Sequence, residues 1–185
     1  MELWGWGRKN TANVNSKGQL LTFAEAISAD YEATLVNDAF TMDIDGIQTD
    51  GVGYWLAIIK NGHSIKDLVI MSIVGWVPAF SNTQIYEAVI GQTFVYATNG
   101  TAIIPANDKS GITGGAQGEF YVNDGSGNIT TIGGTGIIVG RFIYDTRPIS
   151  WNLDIIVPPG QTFMLRSDLA DKLNASIHFY YKDNR

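Results

Sequence analysis

The sequence predicts an all-β protein, a jelly-roll-like β-sandwich of about ten short strands with an extended N-terminal arm. Apolar or alternating segments recur at intervals of about 8–12 residues, turn residues separate them, and no long helical period competes with this pattern. The 21 glycines fit the same class, because an ordered chain rich in glycine has many turns and bulges. At 185 residues the chain is long enough for one such domain with a core of its own.

The first sixteen residues differ in composition from the rest. They lack periodicity and combine two tryptophans with two basic residues, Trp4, Trp6, Arg8 and Lys9. We therefore predict an arm over residues 1–16 and a jelly-roll domain over residues 17–185. The two indole rings either fold back on their own domain or dock on a neighbouring subunit, where Trp and Arg are favoured anchors. A basic arm suits an acidic neighbour.

The first half of the domain contains the clearest strand patterns. Residues 39–47 alternate apolar and polar side chains, and residues 54–59 form a continuous apolar run that is typical of a buried strand. The Asn61-Gly62 pair is the strongest short signal for a hairpin, so we predict a returning strand over residues 65–77. Gly75 within this strand indicates a bulge.

The second half predicts further short strands, with hairpins at Asn99-Gly100 and at residues 123–127. The predicted strands are 84–90, 92–97, 101–104, 119–122, 128–132, 136–144, 151–157, 162–166 and 175–181. Pro158-Pro159-Gly160 predicts a corner between two of them. Proline lacks an N–H donor and ends a strand, and Gly160 allows the positive φ that turns the chain into the next one.

Side chains that carry catalysis or bind metals are scarce. There is no cysteine, and His63 and His178 have no second histidine at ligand spacing. We predict no catalytic residue, no metal site and no cofactor. A glycosidase would need two facing carboxylates; Glu87 and Glu119 are candidates, although nothing in the sequence ties them together.

Charge and hydropathy exclude some partners. Twelve Lys and Arg against eighteen Asp and Glu give a net charge of −6, and an acidic body repels phosphates, so no nucleic acid is expected on it. The apolar run 68–80 is too short to span a membrane, and Gly75 and Pro78 interrupt it. Only 16% of residues are charged, against about 25% in average proteins, which suggests that partners cover part of the surface.

Aromatic residues supply the candidate interface. The chain contains five Trp, eight Tyr and eight Phe. Aromatic residues concentrate both in cores and where subunits meet, so they indicate an interface more strongly than any motif in the sequence does. Core packing accounts for most of them. Besides the arm residues, the candidate interface residues are Trp76, Phe80, Tyr86 and Trp151.

Three segments together resemble a known family. They are Val14-Asn15-Ser16-Lys17-Gly18-Gln19-Leu20, Tyr54-Trp55-Leu56-Ala57-Ile58-Ile59-Lys60-Asn61 and Ile155-Ile156-Val157-Pro158-Pro159-Gly160-Gln161-Thr162-Phe163-Met164-Leu165-Arg166. These patterns resemble the entry segment, the central strand and the late corner of small tailed-bacteriophage virion proteins. Related proteins often carry Arg or Lys where Gln19 stands, so the first pattern departs from the family.

The resemblance implies a jelly-roll fold, residence in the virion after synthesis in the host cytoplasm, and a non-enzymatic head or decoration role. It also implies self-association, commonly as a homotrimer, and contact with other virion proteins such as the major capsid protein. The alternative is a carbohydrate-binding jelly-roll module of a phage tail or spike. In that case exposed rings such as Trp151 or Tyr121 would stack on sugars.

Overall fold

The computed structural model describes residues 2–5, 8–11, 13–14, 20–21, 33–34, 36, 38–48, 55–77, 84–91, 93–94, 101–109, 115–123, 132–133, 136–144, 149–167 and 172–183. Its strands are β1 (Glu2–Gly5), β2 (Arg8–Thr11), β3 (Asn13–Val14), β4 (Leu20–Leu21), β5 (Ala39–Gln48), β6 (Trp55–Asn61), β7 (Lys66–Trp76), β8 (Gln84–Ile90), β9 (Thr93–Phe94), β10 (Thr101–Ala102), β11 (Ala106–Asn107), β12 (Gly118–Val122), β13 (Ile132–Gly133), β14 (Ile137–Tyr144), β15 (Ile149–Val157), β16 (Thr162–Ser167) and β17 (Lys172–Asp183).

Two large antiparallel sheets contain eleven of these strands. The six-stranded sheet has the order β10-β12-β6-β16-β8-β14, and the five-stranded sheet has the order β11-β5-β17-β7-β15. The long strands pair in a nested way: β8 with β14, β7 with β15, β6 with β16, and β5 with β17. The chain therefore resembles one long hairpin whose arms pass from sheet to sheet.

This nested order is the strand order of a jelly roll, in which eight strands form two packed sheets. The predicted class, an all-β jelly-roll-like sandwich of about ten strands, is confirmed. The alternation over residues 39–47 has its expected cause, since one face of β5 lies against the other sheet and the opposite face lies outside. In β5, for example, Phe40, Met42 and Ile44 are buried and Asp43 is exposed.

The N-terminal residues that the structure describes form two small antiparallel strand pairs. β1 pairs with β2, and β3 pairs with β4. The arm predicted as extended over residues 1–16 therefore contains a β1–β2 pair, and the β3–β4 pair crosses the predicted boundary at residue 17. Backbone pairing within a segment satisfies its N–H and C=O groups locally.

Aromatic rings fill the space between the two large sheets. Phe179 of β17 stacks on Phe40 of the neighbouring strand and on Phe120 of the opposite sheet, at centroid distances of 5.7 and 5.5 Å. Tyr181 packs edge-on against Phe40 at 5.8 Å, and its hydroxyl donates to the carbonyl oxygen of Gln117 at 2.6 Å. Burial raises the pKa of Tyr181 well above its ordinary value, so this hydroxyl keeps its proton and its hydrogen bond.

The Asn61-Gly62 segment is a corner between sheets, so the hairpin predicted there is wrong. β6 belongs to the six-stranded sheet and β7 to the five-stranded sheet. The Asn61 side chain is fully buried, donates from Nδ2 to the carbonyl oxygens of Lys66 and Val157 at 2.9 Å each, and accepts the His63 N–H at 3.0 Å. These side-chain bonds replace the ladder that a hairpin would have made.

The Pro-Pro-Gly corner is confirmed. β15 ends at Val157, β16 begins at Thr162 in the other sheet, and Gly160 has φ of +75°. The predicted bulge at Gly75 is wrong, because the register of β7 against β17 shifts between Ser72 and Ile70. Gly75 serves close packing instead, since a Cβ there would lie 2.2 Å from the carbonyl oxygen of Asn174.

The turn of the second predicted hairpin, Asn99-Gly100, lies outside the described residues, as does most of the predicted strand before it. Of the strands that are described, β9 pairs with β13, and β10 pairs with β12. The tip predicted at residues 123–127 lies mostly outside the described residues. β12, which enters it, pairs with β6 and β10. A turn dipeptide predicts that the chain changes direction, but long-range pairing decides which strand the following segment pairs with.

Candidate assembly surface

β14 forms one edge of the six-stranded sheet. Its only strand partner among the described residues is β8, so its other side, the β14 edge, carries backbone groups without a ladder. Four apolar side chains of this strand are exposed: Ile137 (63%), Ile138, Val139 and Ile143 (67%). A long apolar edge strand is a ready template for pairing with another strand. The exposed large apolar side chains of the described chain are concentrated here.

A bulge accounts for part of this exposure. The register of β14 against β8 shifts between Ile138 and Gly140, which leaves Val139 as an additional residue. The predicted strand over residues 136–144 matches β14 and contains the continuous apolar run Ile137-Ile138-Val139. The sequence holds no signal for exposure here, because a run of this kind is equally compatible with a buried strand.

β15 forms the corresponding edge of the five-stranded sheet and has a different character. Its register against β7 shifts between Asn152 and Ile155, and Asp154 within this bulge has φ of +49°. Ser150, Asn152 and Asp154 are exposed along it. A bulge with a charged residue interrupts the ladder and protects an edge from further pairing. Among the described side chains, those exposed on β15 are polar apart from Ile156, whereas those exposed on β14 are apolar apart from Arg141.

Three aromatic rings pack between these two edges. Trp151 of β15 stacks on Phe142 of β14 at a centroid distance of 4.2 Å and contacts Tyr86 of β8 at 5.7 Å. Both Tyr86 and Trp151 are candidate interface residues from the sequence. Tyr86 is 1% exposed and belongs to the core, whereas Trp151 is half-buried, so its interface role stays a prediction.

The remaining candidate interface residues divide into three groups. Trp76 is 56% exposed on the outer face of the five-stranded sheet, so its ring is accessible and its interface role stays a prediction. Trp4, Arg8 and Lys9 lie in β1 and β2, of which only the backbone is described. The last two candidates, Trp6 and Phe80, lie outside the described residues.

A charged row crosses the outer face of the six-stranded sheet from the β14 edge. Glu87 accepts hydrogen bonds from Arg141 Nε at 2.7 Å and from Arg166 Nε at 2.6 Å, and the Arg166 guanidinium lies over the Trp55 ring at 5.4 Å. These residues are in register on β14, β8, β16 and β6. Partial burial acts to raise the pKa of Glu87, but the hydrogen bonds and positive charges of both arginines outweigh it and lower the pKa.

Replacing Glu87 by glutamine is expected to lower the free energy of unfolding by about 1–3 kcal/mol at pH 7, since Arg141 and Arg166 lose a charged acceptor. Because the folded-state pKa of Glu87 is lowered, its contribution is complete above its unfolded pKa of about 4.3 and is lost as pH falls through the folded value. Chemical denaturation from pH 7 to pH 3 measures both effects. An equal pH dependence in the wild type and in Glu87→Gln would contradict this assignment.

An apolar row lies next to the charged row. Ile138, Val89, Met164 and Ile58 occupy adjacent positions on β14, β8, β16 and β6. The last three are buried in a cluster with Trp55 that is separate from the core between the sheets, whereas Ile138 at the edge is exposed. The apolar surface of the β14 edge is therefore continuous with a packed row behind it, which gives the edge strand firm support.

A hydrogen-bonded chain lies on the outer face of the other sheet. Thr41 Oγ1 donates to Asp108 Oδ1 at 2.6 Å and lies 2.9 Å from His178 Nδ1. Because the hydroxyl hydrogen is already used, His178 Nδ1 must carry its own hydrogen and donate to Thr41. In a Ser-His-Asp triad a carboxylate would occupy this position, so the arrangement does not match one, although Ser72 is the cross-strand neighbour of His178.

The other candidate chemical groups also have structural contacts. His63, which is half-buried, accepts the N–H groups of Ile65 and Lys66 at Nδ1, at 3.2 and 3.0 Å, and so caps its own turn. Glu119 is paired with Lys60. Glu119 and Glu87 lie on strands three positions apart in the sheet, roughly 14 Å, which exceeds the carboxylate separation of either glycosidase mechanism.

Over the part of the chain that is described, no three His, Asp or Glu side chains group as metal ligands would. No helix found there has the length and hydrophobicity to cross a membrane. Comparison with protein families, with curated proteins and with solved structures found no match to this chain.

Proposed function

We propose that this chain is a non-enzymatic structural protein of a tailed-bacteriophage particle, a capsid decoration or auxiliary head protein that self-associates and contacts other virion proteins. The proposal rests on the β14 edge. Its isoleucines Ile137, Ile138 and Ile143 are exposed, and among the described residues no strand pairs with this side of β14. Such a surface is unfavourable in water and favourable at a contact between subunits.

Three further features support an assembly role. Only 16% of the residues are charged, fewer than the surface of a soluble monomer usually carries, which favours a surface partly covered by partners. The jelly-roll order of the strands is the one implied by the resemblance to phage virion proteins. The charged groups of β14 are limited to Arg141, which is already paired with Glu87, so the edge meets a partner without an unpaired charge.

Replacing Ile143 by lysine is expected to weaken self-association about 10- to 100-fold, because burying an isoleucine contributes about 1.5–3 kcal/mol. Light scattering across a concentration series measures the change. Ile104→Lys is the matched control, since Ile104 is 86% exposed and follows β10 at the opposite end of the same sheet. Equal association constants for both variants and the wild type would remove the β14 edge from the proposal.

The role in the particle is tested by locating the protein in purified virions by cryo-electron microscopy. We expect density for several copies in contact with the capsid or with a neighbouring head protein, and a homotrimer is the arrangement that the resemblance implies. Absence from the particle, together with a monomer at every concentration, would refute the proposal.

A further inference from the structure

We infer that two copies of this chain join edge to edge through β14, antiparallel and centred on Phe142, so that their six-stranded sheets become one continuous sheet. The inference rests on the proposed function, because it names the partner and the geometry of the self-association proposed above. The partner of an unpaired strand edge is expected to be another strand, because only a strand supplies a series of N–H and C=O groups at the matching spacing.

Charge favours a second copy at this edge. The chain carries a net charge of −6, so most contacts between copies bring acidic surfaces together. β14 adds little to this repulsion, because its one charged residue is Arg141, and Glu87 of the same sheet balances it. Two β14 edges therefore meet as apolar surfaces whose charges are balanced. In a contact between two β15 edges, by contrast, the exposed Asp154 of one copy would lie near the Asp154 of the other, and the two negative charges would repel.

Register follows from the bulge and from Arg141. Beyond the bulge, β14 is regular against β8 from Gly140 to Tyr144, a segment whose central residue is Phe142. A two-fold axis at Phe142 uses all five residues and sets Arg141 opposite Ile143 of the second copy. An axis at Arg141 would set two arginines opposite each other, which is destabilising. An axis at Gly140 would bring the bulge into the ladder and break it.

The alternation of β14 side chains between the two faces of the sheet agrees with a two-fold axis at Phe142. Arg141 pairs with Glu87 and Ile143 pairs with Ile85, so both side chains lie on the outer face of the sheet and can meet across the new ladder. Phe142 lies on the inner face, where its ring stacks on Trp151. The two Phe142 residues would form a cross-strand aromatic pair at the axis, supported on each side by a tryptophan.

Single cysteines test the register, because the chain contains no cysteine of its own. Residues opposite in an antiparallel ladder have Cα atoms about 4.5–5.5 Å apart, within the range of a disulfide. Arg141→Cys and Ile143→Cys are prepared separately, one of them isotope-labelled, and oxidised alone and as a mixture. Ile104→Cys and Ile65→Cys, both at exposed isoleucines away from β14, are the controls. Circular dichroism verifies that every variant is folded.

We expect a disulfide-linked dimer only in the mixture, at least tenfold above the controls. The mass of the wild-type assembly should be an even multiple of the 20.2 kDa chain, such as a dimer or two trimers joined through β14, and not that of a single homotrimer. Dimers of Arg141→Cys alone or of Ile143→Cys alone would overturn the centring on Phe142. A stable oligomer without any β14 cross-link, such as a trimer built on another surface, would overturn the edge pairing and leave the proposed function standing. A monomer at every concentration would overturn both.

Discussion

Replacing Asn61 by alanine is expected to lower the free energy of unfolding by about 3–6 kcal/mol, since each buried polar group left without its partner costs about 1–3 kcal/mol. The substitution strands three groups: the carbonyl oxygens of Lys66 and Val157 and the N–H of His63. They belong to two chain segments that meet at this corner, residues 63–66 and the end of β15. Denaturant unfolding followed by tryptophan fluorescence measures the loss.

Asn152→Ala is the control for this prediction. Asn152 is exposed on β15, so its replacement is expected to change stability by less than about 0.5 kcal/mol. If Asn61→Ala were as mild as the control, the side chain would not hold the corner as described. Asn61→Asp supplies a second comparison, because it keeps the volume but replaces the Nδ2 donor with an acceptor that faces two carbonyl oxygens. We expect it to be at least as destabilising as alanine.

Replacing Phe179 by alanine is expected to cost about 3–5 kcal/mol, the usual range for a buried phenylalanine. Its ring is 1% exposed and links the two sheets, since it stacks both on Phe40 and on Phe120. A cavity there removes contacts from both sheets at once. Thermal and denaturant unfolding measure the effect, and the smaller substitution Phe179→Leu should retain more than half of the lost stability.

Trp76→Ala provides the exposed aromatic control for the core prediction. The Trp76 ring is 56% exposed, so its removal should alter the stability of an isolated chain by less than about 1 kcal/mol. A loss as large as that of Phe179→Ala would mean that the outer face of the five-stranded sheet contributes to the core. The contrast separates an aromatic residue that stabilises the fold from one that is available to a partner.

The positions of the strands could be predicted from the sequence, but the pairing of the strands could not. The alternation over residues 39–47 and the apolar run over residues 54–59 correspond to β5 and β6, because side-chain burial is a local record of which face meets the core. Asn61-Gly62 indicated a turn correctly and a hairpin wrongly. The difference lies in bonds from Asn61 to Val157, nearly a hundred residues away, which no local pattern records.

The candidate surface was predictable in kind but not in position. Low charge and abundant aromatics indicated contact between subunits, yet Tyr86, chosen for that reason, packs inside the sandwich. Residues 136–144 are predicted as a strand, and no local pattern indicates that this strand forms an edge of the sheet. Whether Ile143 faces solvent or a neighbouring strand depends on the place of β14 in the sheet, and that place is set by its pairing with β8.

The chain alone therefore specified an all-β domain, its strand segments and the Pro158-Pro159-Gly160 corner. Those features follow from side-chain periodicity and from the backbone limits of proline and glycine, which act within a few residues. Tertiary structure alone decided sheet membership, the buried role of Asn61 and the exposure of the β14 edge. These depend on contacts between residues far apart in sequence, where the free energy of packing selects one pairing among several with similar local patterns.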